Sequence, residues 1–212
     1  RPWLGTQASL LIASLTLACS GPADTAEPIH ESAVRTAPEN VAIATVAGGC
    51  FWCMQHPFDK LNGVVSTTVG YTGGNTENPT YKDVCSGETG HTEAVEIQFD
   101  PAQITYSELL DVFWKNIDPT TPNRQFADIG SQYRTVIFYH NEEQKQVAEL
   151  SKDEMGKSGV HDRPIVTEII PASVFCTAEE YHQKYYKKSA DRYERYSSGS
   201  GRERYLKRTW GE

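Results

Sequence analysis

A run of β-branched and small apolar residues, 41–47, stops at Gly48-Gly49 and is followed at once by Cys50-Phe51-Trp52-Cys53. The run reads as a strand, and the residues after it as a helix over 50–61 that Pro57 kinks or ends early. A cysteine at a helix start meets unpaired backbone N–H groups and the positive end of the helix dipole. Both favour the thiolate, which is the reactive form of the residue. The glycine pair lets a second molecule approach the backbone closely. The opposing reading is that Cys50 is a small buried core residue, the commonest fate of a cysteine. Phe51 and Trp52 are open to the same two readings, as core or as the walls of an apolar slot beside a nucleophile.

Cysteine usage narrows the chemistry. The five cysteines stand at positions 19, 50, 53, 85 and 176, an odd number that does not suit a disulfide scaffold. Cys50 and Cys53 form the only close pair, so a zinc site built from two such pairs is excluded, and redox or nucleophilic use is the better reading. His56 and His91 have no ligand partner at helical spacing and read as structural; no metal site is expected. With 20 basic against 28 acidic residues the net charge is −8, which argues against a nucleic-acid partner.

The first forty residues read as lying outside the fold. Residues 10–18 are apolar, too short to span a bilayer, and end on Cys19. The stretch Leu15-Thr16-Leu17-Ala18-Cys19 resembles a bacterial lipobox, whose cysteine is lipidated and becomes the mature N-terminus. The expectation is a lipoprotein-type signal segment over 1–19, with the basic n-region cut short before Arg1. Residues 20–40 hold Pro22, Pro28 and Pro38 among Ala, Glu, Ser and Thr, the composition of a flexible tether. The catalytic domain would then occupy 41–212, held outside the cytoplasm on a bacterial membrane by a lipid anchor alone. A buried N-terminal helix is the competing expectation.

Along the domain, strands are expected at 64–71, 93–99, 133–139 and 165–170. Thr105 and Glu108 form a capping box for a helix over 105–117, with Leu109, Val112, Phe113 and Ile117 on one face. A polar surface helix is expected over 141–155 and a last helix over 179–188. Two long loops, 72–92 and 118–132, are of the kind that carries function, the first with a short helical turn around 81–85. The tail beyond 188 reads as Gly/Ser-rich and basic. The order β-α-β-β-α-β-α-β suits an α+β fold: a ferredoxin-like two-layer sandwich, a mixed sheet with helices packed on it.

Three blocks then carry a family resemblance. They are Gly49-Cys50-Phe51-Trp52-Cys53 with Val69-Gly70-Tyr71-Thr72-Gly73-Gly74; the stretch from Asn78 through Tyr81, Cys85 and His91 to Glu93; and Asp128-Ile129-Gly130-Ser131-Gln132-Tyr133-Arg134. Together, and in this order, they resemble the A-type peptide methionine sulfoxide reductases over about residues 41–188. The resemblance implies reduction of the S epimer of methionine sulfoxide, free or in proteins, without a bound cofactor. It places Cys50 as nucleophile, Phe51 and Trp52 around the substrate methyl, Glu93, Tyr81 and Tyr133 at the sulfoxide oxygen, and Asp128 as a substrate-orienting residue. It also implies that a thioredoxin-like external dithiol reduces the resulting disulfide.

Elementary chemistry asks for the same set. A sulfoxide oxygen leaves poorly unless protonated, so thiolate attack at sulfur needs an acid aimed at that oxygen. A half-buried carboxyl at Glu93 can have a raised pKa and carry the proton, and tyrosine hydroxyls can hold the oxygen as charge develops. The product is a sulfenic acid on Cys50, which a second thiol converts to a disulfide. Taken singly, Glu93 reads as a solvated strand-end charge, Tyr81 and Tyr133 as surface aromatics, and Asp128 as a turn cap.

Many family members place a resolving cysteine in a C-terminal tail; here that stretch reads Tyr196-Ser197-Ser198-Gly199-Ser200-Gly201-Arg202. Cys53, one helical turn from Cys50, is the first candidate resolver. Cys85, Cys176 and an external thiol remain open. Gln125-Phe126-Ala127 also departs from the commoner glycine-containing version. A thioredoxin-like oxidoreductase would explain the Cys-x-x-Cys pair but not the other blocks. A lipid-anchored binding protein would need no cysteine beside Gly-Gly.

Overall fold

A computed structural model describes residues 40–211. The expected signal segment with Cys19, and the tether up to residue 39, lie outside the described residues. Strand β1 (Ala42–Gly48) runs antiparallel between two neighbours, β3 (Thr92–Phe99) and β6 (Thr135–Tyr139). Flanked on both edges, its last five residues are all buried. β3 pairs antiparallel on its other side with β2 (Val64–Thr72). The inner sheet therefore reads β6-β1-β3-β2, the strand order of a split β-α-β sandwich. Its two crossover helices are α1 (Phe51–Phe58) and α3 (Tyr106–Lys115). Outer strands β7 (Glu168–Pro171), parallel to β6, and β8 (Cys176–Thr177), antiparallel to β2, make the sheet mixed and six-stranded.

The α3 capping box forms: the Thr105 hydroxyl accepts from Glu108 N, and the Glu108 carboxylate accepts from Thr105 N at 2.8 Å. The face of α3 buries Leu109, Leu110, Phe113 and Trp114, with Ile117 just beyond, against the sheet and α1. Each such side chain contributes about 1.5–3 kcal/mol by leaving water. Trp114 Nε1 donates to Ser151 Oγ at 2.6 Å and so ties α3 to α4 (Glu142–Lys157).

Several boundaries differ from the sequence reading, each for a local reason. α1 stops at Phe58, directly after Pro57. Residues 131–133 form a 3-10 turn, so β6 begins at Thr135. Within the first long loop, α2 (Tyr81–Cys85) forms on a capping box of Thr80 and Asp83. Within the second, β4 (Arg124–Gln125) and β5 (Asp128–Ile129) make a small hairpin. The helix expected over 179–188 is broken. A 3-10 turn at Glu180–His182 is followed by Lys184 at φ +53°, a left-handed conformation that interrupts any helix, and then by α5 (Tyr185–Lys188). The tail read as Gly/Ser-rich folds into α6 (Ala190–Gly199) and α7 (Arg202–Trp210), with Gly201 at φ +87° turning the corner between them.

Candidate active site

Gly48, Gly49 and Cys50 carry the chain from β1 into α1. A Cβ on Gly48 would lie 2.6 Å from Ile117, and one on Gly49, whose φ is +85°, would lie 2.5 Å from Gln125. The pair is therefore required by close approach as well as by the turn. Cys50 is the N-cap of α1: its carbonyl accepts from Cys53 N and Met54 N, at 3.1 and 3.2 Å. The next backbone N–H, that of Phe51, has no partner within the helix. It donates 2.9 Å to Glu93 Oε2 on β3, a long-range cap that brings the carboxyl to the cysteine.

Glu93 is 2% exposed, which rules out a solvated strand-end charge. Two effects compete for its proton. Burial favours the neutral acid, and the Phe51 N–H favours the carboxylate. Taking a carboxylate out of water costs several kcal/mol, whereas one hydrogen bond to a charged group contributes about 1.5–3 kcal/mol. Burial wins: the carboxyl is pushed up to about 8, with Asp128 and Cys53 adding to the effect. At neutral pH Glu93 is an acid holding its proton.

The two thiols of α1 are both buried and both free. They differ in the direction in which their surroundings move them. Burial, then Cys53 and Glu93, push the Cys50 thiol well above the ordinary range. Cys53 is pulled down by its hydrogen bond with Cys50 and by Arg202, against its own burial. Without substrate the pair thus keeps a proton on Cys50. The helix start does not leave Cys50 a bare thiolate as the sequence suggested, because Glu93 takes the Phe51 N–H and water is excluded.

Around Cys50 the structure gathers the remaining candidates. Phe51 is buried against Tyr71, Tyr81 and His182. Trp52 is half-buried and stacks on Tyr185 with ring centroids 3.9 Å apart. Its indole N–H donates 3.0 Å to His182 Nδ1. The hydroxyls of Tyr81 and Tyr133 are both pushed up, first by burial and next by Glu93; both remain neutral donors. Asp128, on β5, is pushed up by burial and accepts from the Tyr196 hydroxyl. Cys85 is exposed on α2, and Cys176 is half-buried on edge strand β8. Among the described residues no cluster of His, Cys, Asp and Glu is placed to hold a metal.

Sequence reasoning missed His182, Tyr185, Tyr196 and Arg202, all from the region taken as one helix and a loose tail. The Tyr196 hydroxyl donates to Asp128 and favours the ionised form of Cys50. Tyrosine and arginine recurring through 192–205 were the available signal, since a tether would not carry so many. Gln125 was noted only as a departure. It is fully buried, accepting from Asp118 N at 2.9 Å and donating to Asp118 O at 2.7 Å.

A family model described as "Peptide methionine sulfoxide reductase" matches residues 42–212. "Peptide methionine sulfoxide reductase MsrA" of Bacillus licheniformis is 54% identical over 173 residues, covering 82% of this chain and 96% of the relative. The same-named protein of Bacillus subtilis is 54% identical over 173 residues, covering 82% and 98%. Among solved structures, Mxr1 from Saccharomyces cerevisiae in reduced form matches with a TM-score of 0.66 and 34% identity, over 75% of this chain and 91% of that one. Methionine sulfoxide reductase A of Corynebacterium diphtheriae matches with a TM-score of 0.64 and 35% identity, over 72% and 77%.

Proposed function

We propose, from the premise that this chain belongs to the peptide methionine sulfoxide reductase family and reduces methionine sulfoxide, that Cys50 attacks the sulfoxide sulfur while Glu93 protonates its oxygen. The observation that carries this reading is the buried Glu93 carboxyl, neutral to about pH 8 and hydrogen-bonded to the residue beside the nucleophile. Few other reactions need a thiol and a neutral acid side by side in a pocket of tyrosine hydroxyls.

The steps follow from the residues. The substrate methyl sits against Phe51 and Trp52, and its oxygen faces Glu93, Tyr81 and Tyr133. As the Glu93 proton moves to the oxygen, the Cys50 sulfur bonds to the substrate sulfur, and the Cys50 proton passes to the Glu93 carboxylate and restores the acid. The oxygen then passes to Cys50 as a sulfenic acid, and methionine leaves with the electron pair. Asp128 orients the substrate, exchanging the Tyr196 hydroxyl for it. The asymmetric placement of methyl slot and acid selects the S epimer.

Cys53 is the resolving thiol in this reading: it lies one turn after Cys50 at the start of α1, and both thiols are buried and free. Its surroundings favour its ionised form more than they favour that of Cys50. Its sulfur displaces the hydroxyl of the sulfenic acid, giving water and a Cys50–Cys53 disulfide. A thioredoxin-like external dithiol reduces that disulfide, and the substrates are oxidised proteins or free methionine sulfoxide. Turnover of resolved methionine sulfoxide epimers by residues 41–212 with dithiothreitol tests the core of the proposal. Consumption of the S epimer alone is expected; equal use of both, or insulin reduction instead, overturns it.

The domain layout belongs to the same reading: a signal segment over 1–19, a tether over 20–40 and the catalytic domain over 41–212. The apolar residues 10–18 before Cys19 and the proline-containing stretch after it support a lipid-anchored, extracytoplasmic enzyme. Expressed from its own Met start, the wild type is expected in the membrane fraction and Cys19→Ser in the soluble fraction; a cytosolic wild type ends this idea.

A further inference from the structure

Arg202, near the start of α7, is only 4% exposed. Its guanidinium donates 3.0 Å to Gly48 O, to Asn116 O, and 3.6 Å to Met54 Sδ, and it lies 4.7 Å over the Phe126 ring. Every one of these partners is neutral. Among the described residues no carboxylate comes within ion-pair distance of it. A guanidinium cannot shed its proton inside a protein, and a buried cation is costly unless an anion balances it. Neutral acceptors solvate the group and leave its charge in place.

Two anion-forming groups feel its charge: the Cys53 sulfur at the reaction centre and the Asp128 carboxylate. Cys53 and Ser197 line one cavity of about 620 Å³ together with Arg202, on the side of α1 turned towards the tail. Cys53 is 3% exposed and Ser197 7%. The Ser197 hydroxyl and the charge of Arg202 both favour the ionised Cys53 sulfur across this cavity. The Asp128 carboxylate accepts from the Tyr196 hydroxyl; Cys53 shares its cavity with Arg202 and Ser197.

We propose that Arg202, assisted by Ser197, is the positioning residue of the resolving step: it holds the Cys53 sulfur as a thiolate directed at the sulfenic acid on Cys50. This rests on the reading of Cys53 as the resolver. In the step, the Cys53 thiolate attacks the Cys50 sulfur, a sulfur–sulfur bond forms and the sulfur–oxygen bond breaks. The leaving hydroxide takes one proton, from Glu93 or solvent, and departs as water. One sulfur is oxidised and the other reduced, so no outside oxidant is needed. Residues 197 and 202 thus supply a hydroxyl and a cation to a thiol on α1.

The titratable groups facing Cys53 define what a test must separate. Cys50 lies on α1, Asp128 on β5, Tyr193 on α6 and Arg202 on α7, with Glu93 beyond Cys50. His56, Lys60, Glu194 and Glu203 border the same cavity. Cys50, Asp128, Tyr193 and Glu93 make the thiolate harder to form when they are ionised. Among the described residues, Arg202 is the buried cation that makes it easier.

The experiment titrates the Cys53 thiolate by its ultraviolet absorbance in a Cys50→Ser background, with Arg202 intact, Arg202→Lys and Arg202→Gln. In otherwise wild-type protein given one equivalent of methionine sulfoxide, it also compares disulfide formation with methionine release. For Arg202→Gln the thiolate midpoint is expected to rise by about one pH unit, so near-neutral thiolate falls about ten-fold. Disulfide formation should slow by about as much relative to methionine release. Arg202→Lys, which keeps the charge, should recover most of both. A folded Arg202→Gln whose midpoint and disulfide rate stay at the wild-type values overturns the proposal, and shows Arg202 to be only an anchor for α7. Should Arg202→Gln not fold, Ser197→Ala takes its place: a smaller rise supports the proposal and an unmoved midpoint overturns it. Peptide mapping of the oxidised wild type separates the two levels, because a bridge from Cys50 to Cys85 or Cys176 removes the resolver itself.

Discussion

The two sides of Cys50 are built differently. Towards the sheet it meets Glu93 on β3, with the hydroxyls of Tyr81 and Tyr133 near the same carboxyl. Towards the C-terminus it meets Cys53, with Ser197 and Arg202 from α6 and α7 behind it. The first side supplies a proton and neutral donors, and the second a positive charge and a second sulfur. In the proposed mechanism the first side gives the sulfoxide oxygen its proton and the second keeps the Cys53 sulfur deprotonated. Burial alone would raise the pKa of both thiols; their mutual interaction makes them diverge first, and Arg202 from the tail adds to it on the Cys53 side.

The largest expected effect removes what the two sides share. Cys50→Ser should bring sulfoxide reduction down to the uncatalysed rate while circular dichroism and melting stay close to wild type, because the substitution is nearly isosteric. Measurable turnover would mean that the chemistry starts elsewhere.

Next in size is the acid side. Glu93→Ala should slow methionine release by roughly 10²–10⁴, the range for a lost general acid, and Glu93→Gln should retain part of the rate through its amide donor. The wild-type profile should be bell-shaped, rising as the thiol pair loses its proton and falling above about 8 as Glu93 loses its own. Glu93→Gln should lack the falling limb. Stability carries the same sign. The folded carboxyl holds its proton to about 8, well above its ordinary 4.5. Its contribution is therefore full below that ordinary value and lost as pH rises through the folded one. Glu93→Gln should thus melt higher than wild type near about pH 9 and similarly in acid, the sign of a site that gives up stability for activity. A profile unchanged by either substitution removes Glu93 as the acid.

The tail side gives a smaller effect of a different kind. Cys53→Ser should still release one equivalent of methionine per enzyme, then stall with a sulfenic acid that dimedone traps. Steady-state turnover with an external dithiol should fall by about ten-fold or more, since the thiolate is the form that attacks. A normal disulfide in this variant would transfer the role to Cys85 or Cys176.

The acid side was legible in the sequence, and the tail side was not. Glu93 and Asp128 sit inside contiguous blocks with glycines at fixed places, and β1 with its Gly-Gly turn shows its strand character directly. The inner β6-β1-β3-β2 order follows from the spacing of four strands and two helices. The tail offers no such period. Lys184 adopts a left-handed conformation without being Gly or Asn, and β8 spans only two residues. Helices α6 and α7 are mostly Tyr, Arg, Ser and Gly, which read as solvated until their partners are known. Arg202 in particular looks like surface charge in sequence, and its burial depends on the carbonyls of Gly48 and Asn116, distant in the chain.

The smallest expected effect tests whether the two sides can be separated mechanically. Asp59, just after α1, is a clamp: its carboxylate accepts from Thr67 Oγ1 at 3.0 Å, from Lys187 Nζ at 3.1 Å, and from Lys184 Nζ and the Tyr186 hydroxyl. These donors hold the carboxyl well below the usual carboxylate range despite its burial. The clamp fixes the α5 region to α1 and β2, and no part of it touches Glu93. Charged hydrogen bonds of this kind contribute about 1.5–3 kcal/mol each when buried. Lys187 is largely exposed and Lys184 partly so, so screening reduces the total and Asp59→Ala should cost about 1–3 kcal/mol in all. Because the carboxyl is depressed, this stability is present above the ordinary carboxylate pKa and lost as pH falls through the folded one. The wild type and Asp59→Ala should therefore converge in melting temperature towards strong acid. At neutral pH, amide exchange in Asp59→Ala should quicken in α5 and α6 while β1 and β3 stay protected. Methionine release should change little, and disulfide formation should slow by a few-fold as the Cys53 cradle loosens. Equal slowing of both steps would show that the sides of Cys50 are one mechanical unit, and that the tail is as much part of the sulfoxide site as of the resolving one.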